Sequence, residues 1–144
     1  LPILHCSATR ETMEYTPEQL ERDHKARGFF SAGYNYYIRR SGEVVPMRPP
    51  EQIPAHAKGY NAFSLGICYE GGLDADGHPK DTRTERQKLS IRGLLLLLLV
   101  RYPGCRICGH RDLSPDRNGD GKITRDEWLK ECPCFDAEEE YGIL

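Results

Sequence analysis

A chain of 144 residues, 38% hydrophobic and 29% charged, carries enough apolar residues for one core and hence one compact domain. Twenty Lys and Arg stand against 22 Asp and Glu, a net charge of −2 that excludes the basic footprint of a nucleic-acid binder or a polybasic membrane patch. The longest apolar run, Leu94 to Val100, falls well short of the ~18 residues a membrane span needs, so no membrane insertion is expected.

Leu1 to Leu4 carry no basic n-region or cleavage site, so no signal peptide is expected in the chain. Pro2 to Ala8 opens with apolar residues and predicts a strand that delivers His5 near its end. Thr16-Pro17-Glu18-Gln19 is a helix start, with a Thr cap, Pro at the first position and Gln at the third. That helix runs to about Arg27 and stops at Gly28. Tyr34 to Arg40 predicts a strand, Ser41-Gly42 a turn, and Glu43 to Met47 the returning strand of a hairpin. Four prolines make Pro46 to Pro54 a loop. Phe63 to Tyr69 reads as a buried strand stopped by Gly71-Gly72, and Leu73 to Thr82 as a surface loop. Thr84 caps a second helix that reaches about Tyr102, its leucine run facing the core. Cys105 to Cys108 predicts a short strand leading to His110, followed by loop, a short helix through Trp128, and a cysteine pair. Strands interleaved with helices give the α/β class: a single domain over 1–144 with a central mixed β-sheet flanked by α-helices.

Three separated residues carry the chemistry: His5 in H-C-S-A-T, His110 in G-H-R-D and Cys132 in K-E-C-P-C-F-D. Two imidazoles and a thiolate are a borderline-soft donor set that suits Zn²⁺, and three protein ligands leave one tetrahedral position open. Whether the three meet in space is not readable from their types alone.

Further stretches point the same way. H-C-S-A-T at 5–9, G-Y-N-Y-Y-I at 33–38, H-A-K-G-Y-N at 56–61, S-L-G-I-C at 64–68, G-H-R-D at 109–112 and C-P-C-F-D at 132–136 occur in one order along nearly the whole chain. In them the chain resembles the type-2 N-acetylmuramoyl-L-alanine amidases, a family that includes phage lysozymes of the amidase kind and the peptidoglycan-recognition proteins. The resemblance implies a mixed sheet flanked by helices with zinc in a groove on one side. It implies hydrolysis of the amide between N-acetylmuramic acid and L-alanine in peptidoglycan, with His5, His110 and Cys132 as zinc ligands. Tyr34 falls on the family's catalytic tyrosine and Lys130 on its catalytic lysine. A monomer acting on the cell wall, periplasmic, extracellular or phage-encoded and released at lysis, is expected, with peptidoglycan as its partner. The alternative is a non-catalytic peptidoglycan-binding module on the same fold; binding-only relatives typically lose the third ligand, which Cys132 supplies here. Cys134, two residues on, departs from the family pattern and competes with Cys132 for one metal position.

His56 is expected to line the substrate groove or to hold its loop, while His24 and His78 read as solvated. Arg39 and Arg48 are the arginines considered for a diaminopimelate carboxylate, although neither is singled out. The stretch Asp116 to Glu127, D-R-N-G-D-G-K-I-T-R-D-E, fits an EF-hand-like Ca²⁺ loop. Asp116, Asn118 and Asp120 take positions one, three and five, Lys122 offers a carbonyl at seven, and Glu127 is the twelfth. An acidic, Gly-rich turn held by its own backbone is the alternative. Among the six cysteines, Cys6 and Cys68 read as buried small hydrophobes on adjacent strands. A four-cysteine zinc site from Cys105, Cys108, Cys132 and Cys134 remains a competing pattern.

Overall fold

The computed structural model describes residues 1–144. Its strands are β1 (Pro2–Cys6), β2 (Thr9–Arg10), β3 (Tyr36–Ile38), β4 (Val44–Pro46), β5 (Leu65–Tyr69), β6 (Gly72–Leu73) and β7 (Cys108–Gly109). The helices are α1 (Pro17–Ala26), α2 (Glu85–Arg101) and α3 (Ala137–Tyr141). Five strands form one sheet in the order β4-β3-β5-β1-β7, and β2 pairs with β6 in a second, two-stranded sheet. β1 runs parallel to both β5 and β7, β3 runs parallel to β5, and only the hairpin strand β4 is antiparallel to its neighbour. The expected mixed sheet with flanking helices is thus the observed one.

Side-chain alternation along each strand gives the sheet two different faces. Leu4 and Cys6 of β1, Ile38 of β3 and Leu65, Ile67 and Tyr69 of β5 turn toward α2 and join one core with Ile91, Leu95 and Leu98. Tyr37 and Cys68 point the other way and pack with Leu20 of α1. Cys6 and Cys68 are buried as expected, on opposite faces of paired strands.

Both long helices start as their sequences predict. Thr16 Oγ1 accepts from the Gln19 amide at 3.2 Å while Gln19 Oε1 accepts from the Thr16 amide at 2.8 Å. Thr84 and Gln87 repeat the arrangement at 3.1 and 2.9 Å. Gln87 is fully buried, and its Nε2 also donates to the Ile38 and Glu70 carbonyls, so the cap of α2 docks the helix onto β3 and β5. The leucine run does not all face the core. A 3.6-residue period buries Ile91, Leu95 and Leu98 and leaves Leu96, Leu97 and Val100 exposed. Leu95→Ala is expected to cost about 2–5 kcal/mol, because the vacated space lies between α2 and the sheet. Chemical denaturation measures it, and a loss below about 1 kcal/mol would mean the site collapses freely.

Several boundaries differ from expectation. Strand β3 is shorter than 34–40; just before it, Asn35 pairs with Gly66 through both its backbone, its amide donating to the Gly66 carbonyl, and its side chain, Oδ1 accepting from the Gly66 amide, at 2.9 Å each. Asn61–Phe63 is a 3-10 turn, so the buried strand starts at Leu65. The start of the 73–82 loop pairs with β2. The strand near His110 is Cys108–Gly109, the helix before Trp128 is a single 3-10 turn at Arg125–Glu127, and α3 has no counterpart in the sequence reading.

Candidate metal centre

His5 is the fourth residue of β1 and only 1% exposed. Alternation sends its ring to the face opposite α2, at the floor of a groove of about 780 Å³. Gly109 closes β7, and His110 opens a 3-10 turn, His110–Leu113. Asp112 Oδ2 accepts from the Gly109 amide at 2.6 Å and holds that turn. A side chain at Gly109 would put its Cβ 2.7 Å from Pro133 Cδ, so the glycine of G-H-R-D admits the segment that carries Cys132. That segment is pinned at two points: Arg111 N–H donates to the Cys132 carbonyl at 2.8 Å, and Tyr69 O–H donates to the Pro133 carbonyl at 2.7 Å.

These anchors bring His5, His110 and Cys132 together, with their ligand atoms all within 4.8 Å of one another. His5 Nδ1 lies 3.9 Å from Cys132 Sγ. A tetrahedral zinc with Zn–N of about 2.1 Å and Zn–S of about 2.3 Å would space such atoms about 3.6 Å apart. The Cys6 amide donates to Cys132 Sγ at 3.3 Å and fixes the sulfur beside His5. Donor types, spacing and this hydrogen bond all fit a zinc ion with one open position. Cys134 takes no part in the cluster. Its Sγ sits 4.0 Å from Cys6 Sγ and donates to the Gly72 carbonyl at 3.4 Å. Contact with Cys132, with burial, pushes the Cys6 thiol up to about 12, against an opposing contribution from Cys134. No group joins four cysteines, so the competing structural-zinc pattern is not formed.

The electrostatics favour neutral imidazoles. Burial and the surrounding cationic side chains push His5 well below its usual range, His56 down to about 3 and His110 to about 4. His24 is lowered too, chiefly by burial. These rings are neutral in the folded protein, whereas unfolding lets them bind protons below about pH 6.5. Stability from this source is therefore complete above about pH 6.5 and is lost as pH falls toward the folded values. Each such histidine contributes a slope of up to ~1.4 kcal/mol per pH unit. For chelator-treated protein, the urea midpoint is expected to fall between pH 7 and pH 5. A flat midpoint across that interval would show that the rings take up protons in the fold as they do in the unfolded chain.

Tyr34 precedes β3, and its ring centroid lies 5.0 Å from that of His5. Burial raises its phenol well above 10, so it carries its proton at neutral pH. Gly33 places it: the Gly33 amide donates to His24 Nδ1 at 2.8 Å, its carbonyl accepts from the Ala55 amide at 3.0 Å, and a Cβ there would meet the Ala55 carbonyl oxygen at 2.2 Å. Lys130 is exposed at the groove with no acidic partner, and its charge is one reason the His110 and His5 pKa values are low.

His24 is not solvated. It is 8% exposed and borders the groove from α1, a placement a lone polar residue on a helix does not announce. His78 is exposed, as expected. His56 lines the groove and also contacts His5 directly, its Nδ1 2.8 Å from His5 Nε2. Arg39 and Arg48 are both committed internally: Arg39 Nε to Glu70 at 2.9 Å, and Arg48, 3% exposed, to the Ala32 and Ile53 carbonyls. In the 116–127 loop, Asp116 accepts from the Gly119 and Gly121 amides, and Glu127 from those of Arg117, Asn118 and Thr124. The carboxylates of Asp116, Asp120 and Glu127 form no cluster comparable to that of His5, His110 and Cys132. The calcium expectation for Asp116, Asn118, Asp120, Lys122 and Glu127 finds no support in this arrangement, which fits a turn held by its own backbone.

Residues 2–127 match the sequence profile of the N-acetylmuramoyl-L-alanine amidase family. The chain belongs to this family. Among its relatives, the endolysin of Klebsiella phage KP32 is 37% identical over 134 residues, which cover 93% of this chain and 80% of that protein. The endolysin of Escherichia phage T7 is 34% identical over 134 residues, with the same coverage of both. In structure, this amidase-family chain superposes on the N-acetylmuramoyl-L-alanine amidase LysC from Clostridium intestinale with a TM-score of 0.73 and 26% identity, over 96% of this chain and 78% of that one. Drosophila PGRP-LB shares the fold at a TM-score of 0.68 and 22% identity, over 92% of this chain and 72% of that one.

Proposed function

We propose that this chain is a zinc-dependent N-acetylmuramoyl-L-alanine amidase that cleaves the bond between the lactyl group of N-acetylmuramic acid and L-alanine in bacterial peptidoglycan. The observation that carries the reading is the three-residue cluster of His5, His110 and Cys132 at the floor of an open groove that Lys130 and Tyr34 also border. When bound there, zinc supplies the acidity that activates water near neutral pH and polarises the scissile carbonyl.

The chain's own residues do the rest. His5, His110 and Cys132 are the ligand set. Lys130 faces the groove as an uncompensated cation and stabilises the negative charge that builds on the carbonyl oxygen. Tyr34 keeps its proton at neutral pH and offers it as a hydrogen bond to the same oxygen or to the attacking water. The groove admits a muramyl peptide from solvent, in line with the name of endolysin carried by the phage relatives. Action on the cell wall by a protein released at lysis is the matching setting.

A digest of purified peptidoglycan tests the reading, run with the protein as isolated, after chelation, and after zinc is restored. Free stem peptides beginning with L-alanine are expected in the first and third samples and not in the second. Intact glycan strands with uncleaved stems in all three, and protein that still sediments with the wall, would identify a binding module instead.

A further inference from the structure

His5 makes two polar contacts through its two ring nitrogens. Nδ1 faces Cys132 Sγ at 3.9 Å, and Nε2 faces His56 Nδ1 at 2.8 Å. His56 in turn places its Nε2 3.1 Å from Ser64 Oγ. A neutral imidazole carries one N–H, so a hydrogen bond between two ring nitrogens has one donor and one acceptor. A His5 that coordinates through Nδ1 must carry its proton on Nε2. It then donates to His56 Nδ1, and the proton of His56 must sit on Nε2, directed at the hydroxyl of Ser64. One direction of hydrogen bonding runs through all three residues.

The surroundings are built for this contact. A Cβ at Gly66 would lie 2.7 Å from His56 Cγ, so only glycine at that point of β5 lets the imidazole lie against the sheet. Asn61 Oδ1 accepts from the amides of His56 and Ala57, at 2.9 Å each, and fixes the loop. Ser64 is 7% exposed, at the entry to β5. Metal-bound histidines usually donate their second N–H to a carboxylate, a carbonyl or water. Here a neutral ring takes that place. It orients His5 without adding negative charge beside Cys132.

We propose that His56 is a positioning residue of the metal centre: it accepts the Nε2–H of His5, selects the tautomer that frees Nδ1 for the ion, and is itself held by Ser64 above Gly66. This rests on the zinc reading of His5, His110 and Cys132. It assigns His56 a task apart from lining the groove for substrate.

The test is zinc affinity by competition with a colorimetric chelator, for the whole chain and its variants. His56→Leu keeps bulk and removes the acceptor; it is expected to weaken zinc binding about 10–100-fold. His56→Asn offers an oxygen where Nδ1 stood and is expected to recover most of that loss. Ser64→Ala leaves His56 in place and is expected to weaken binding several-fold. A residue that only lines the groove would raise KM for peptidoglycan and leave zinc affinity unchanged; tight zinc binding in His56→Leu would overturn the proposal. Failure of the zinc reading looks different: the unaltered chain would then bind zinc no better than Cys132→Ser. A second measurement needs no variant. Long-range ¹H–¹⁵N spectra of the zinc-loaded protein are expected to show both His5 and His56 as Nε2–H tautomers, and an Nδ1–H His56 would overturn the proposal by itself.

Discussion

Cys132→Ser is expected to abolish zinc retention and amidase activity together, while Cys134→Ser leaves both largely intact. A serine hydroxyl stays protonated at neutral pH and replaces a thiolate poorly as a ligand, so two imidazoles would have to hold the ion alone. Cys134 is the internal control. It lies two residues away and has the same chemistry, but its sulfur is turned to Cys6 and the Gly72 carbonyl. Metal content after dialysis should read about one zinc per chain for the unaltered protein and for Cys134→Ser, and near zero for Cys132→Ser. The reverse pattern would move the third ligand to Cys134 and break the assignment.

The second large effect separates catalysis from metal binding. Lys130→Met keeps most of the length of the side chain and removes its charge. Loss of a preorganised charge at the developing oxyanion typically costs about 10²–10³ in kcat. Tyr34→Phe removes the proton the buried phenol holds at neutral pH, and a loss of about 10²–10⁴ is expected for such a group. Neither residue belongs to the cluster of ligand atoms, so both variants should keep their zinc. Lys130→Met carries a further signature. Burial and the Lys130 charge together hold His110 at about 4, so removing the charge should raise the His110 pKa in metal-free protein, as NMR titration would show. Unchanged kcat in Lys130→Met would remove it from the reaction, and zinc loss would make it a structural residue of the site.

Local signals were the most legible in the sequence. The capping pairs Thr16/Gln19 and Thr84/Gln87 lie three residues apart, and each forms the reciprocal hydrogen bonds its spacing implies. Strand β1 and its delivery of His5 follow from a short apolar run. Short elements were less legible. β7 has two residues and α3 has five, too few for a period to register, and the 3-10 turn before Trp128 passed for a helix for the same reason. The Leu94–Val100 run misled in a second way, since apolar composition alone does not say which side of a helix is covered.

In the site, residue types and motif order carried the donor set and the family, because ligand chemistry is a property of the side chain itself. The motif position before proline pointed to Cys132, and the tertiary structure supplied the geometry that sets its sulfur, not that of Cys134, beside the two imidazoles. The decisive hydrogen bond joins Cys6 to Cys132 across 126 positions of chain. His24 and His56 show the same limit: the first reads as solvated and the second as a groove or loop residue, and only the packing of α1 and of the 56–61 loop against β1 and β5 buries the first and couples the second to His5. By itself the sequence determined what chemistry is present and in what order along the chain. The fold alone decided which nitrogen of His5 faces Cys132, that His56 meets the other, and that Cys134 turns to Cys6 and Gly72, because those choices depend on contacts between residues that no local pattern links.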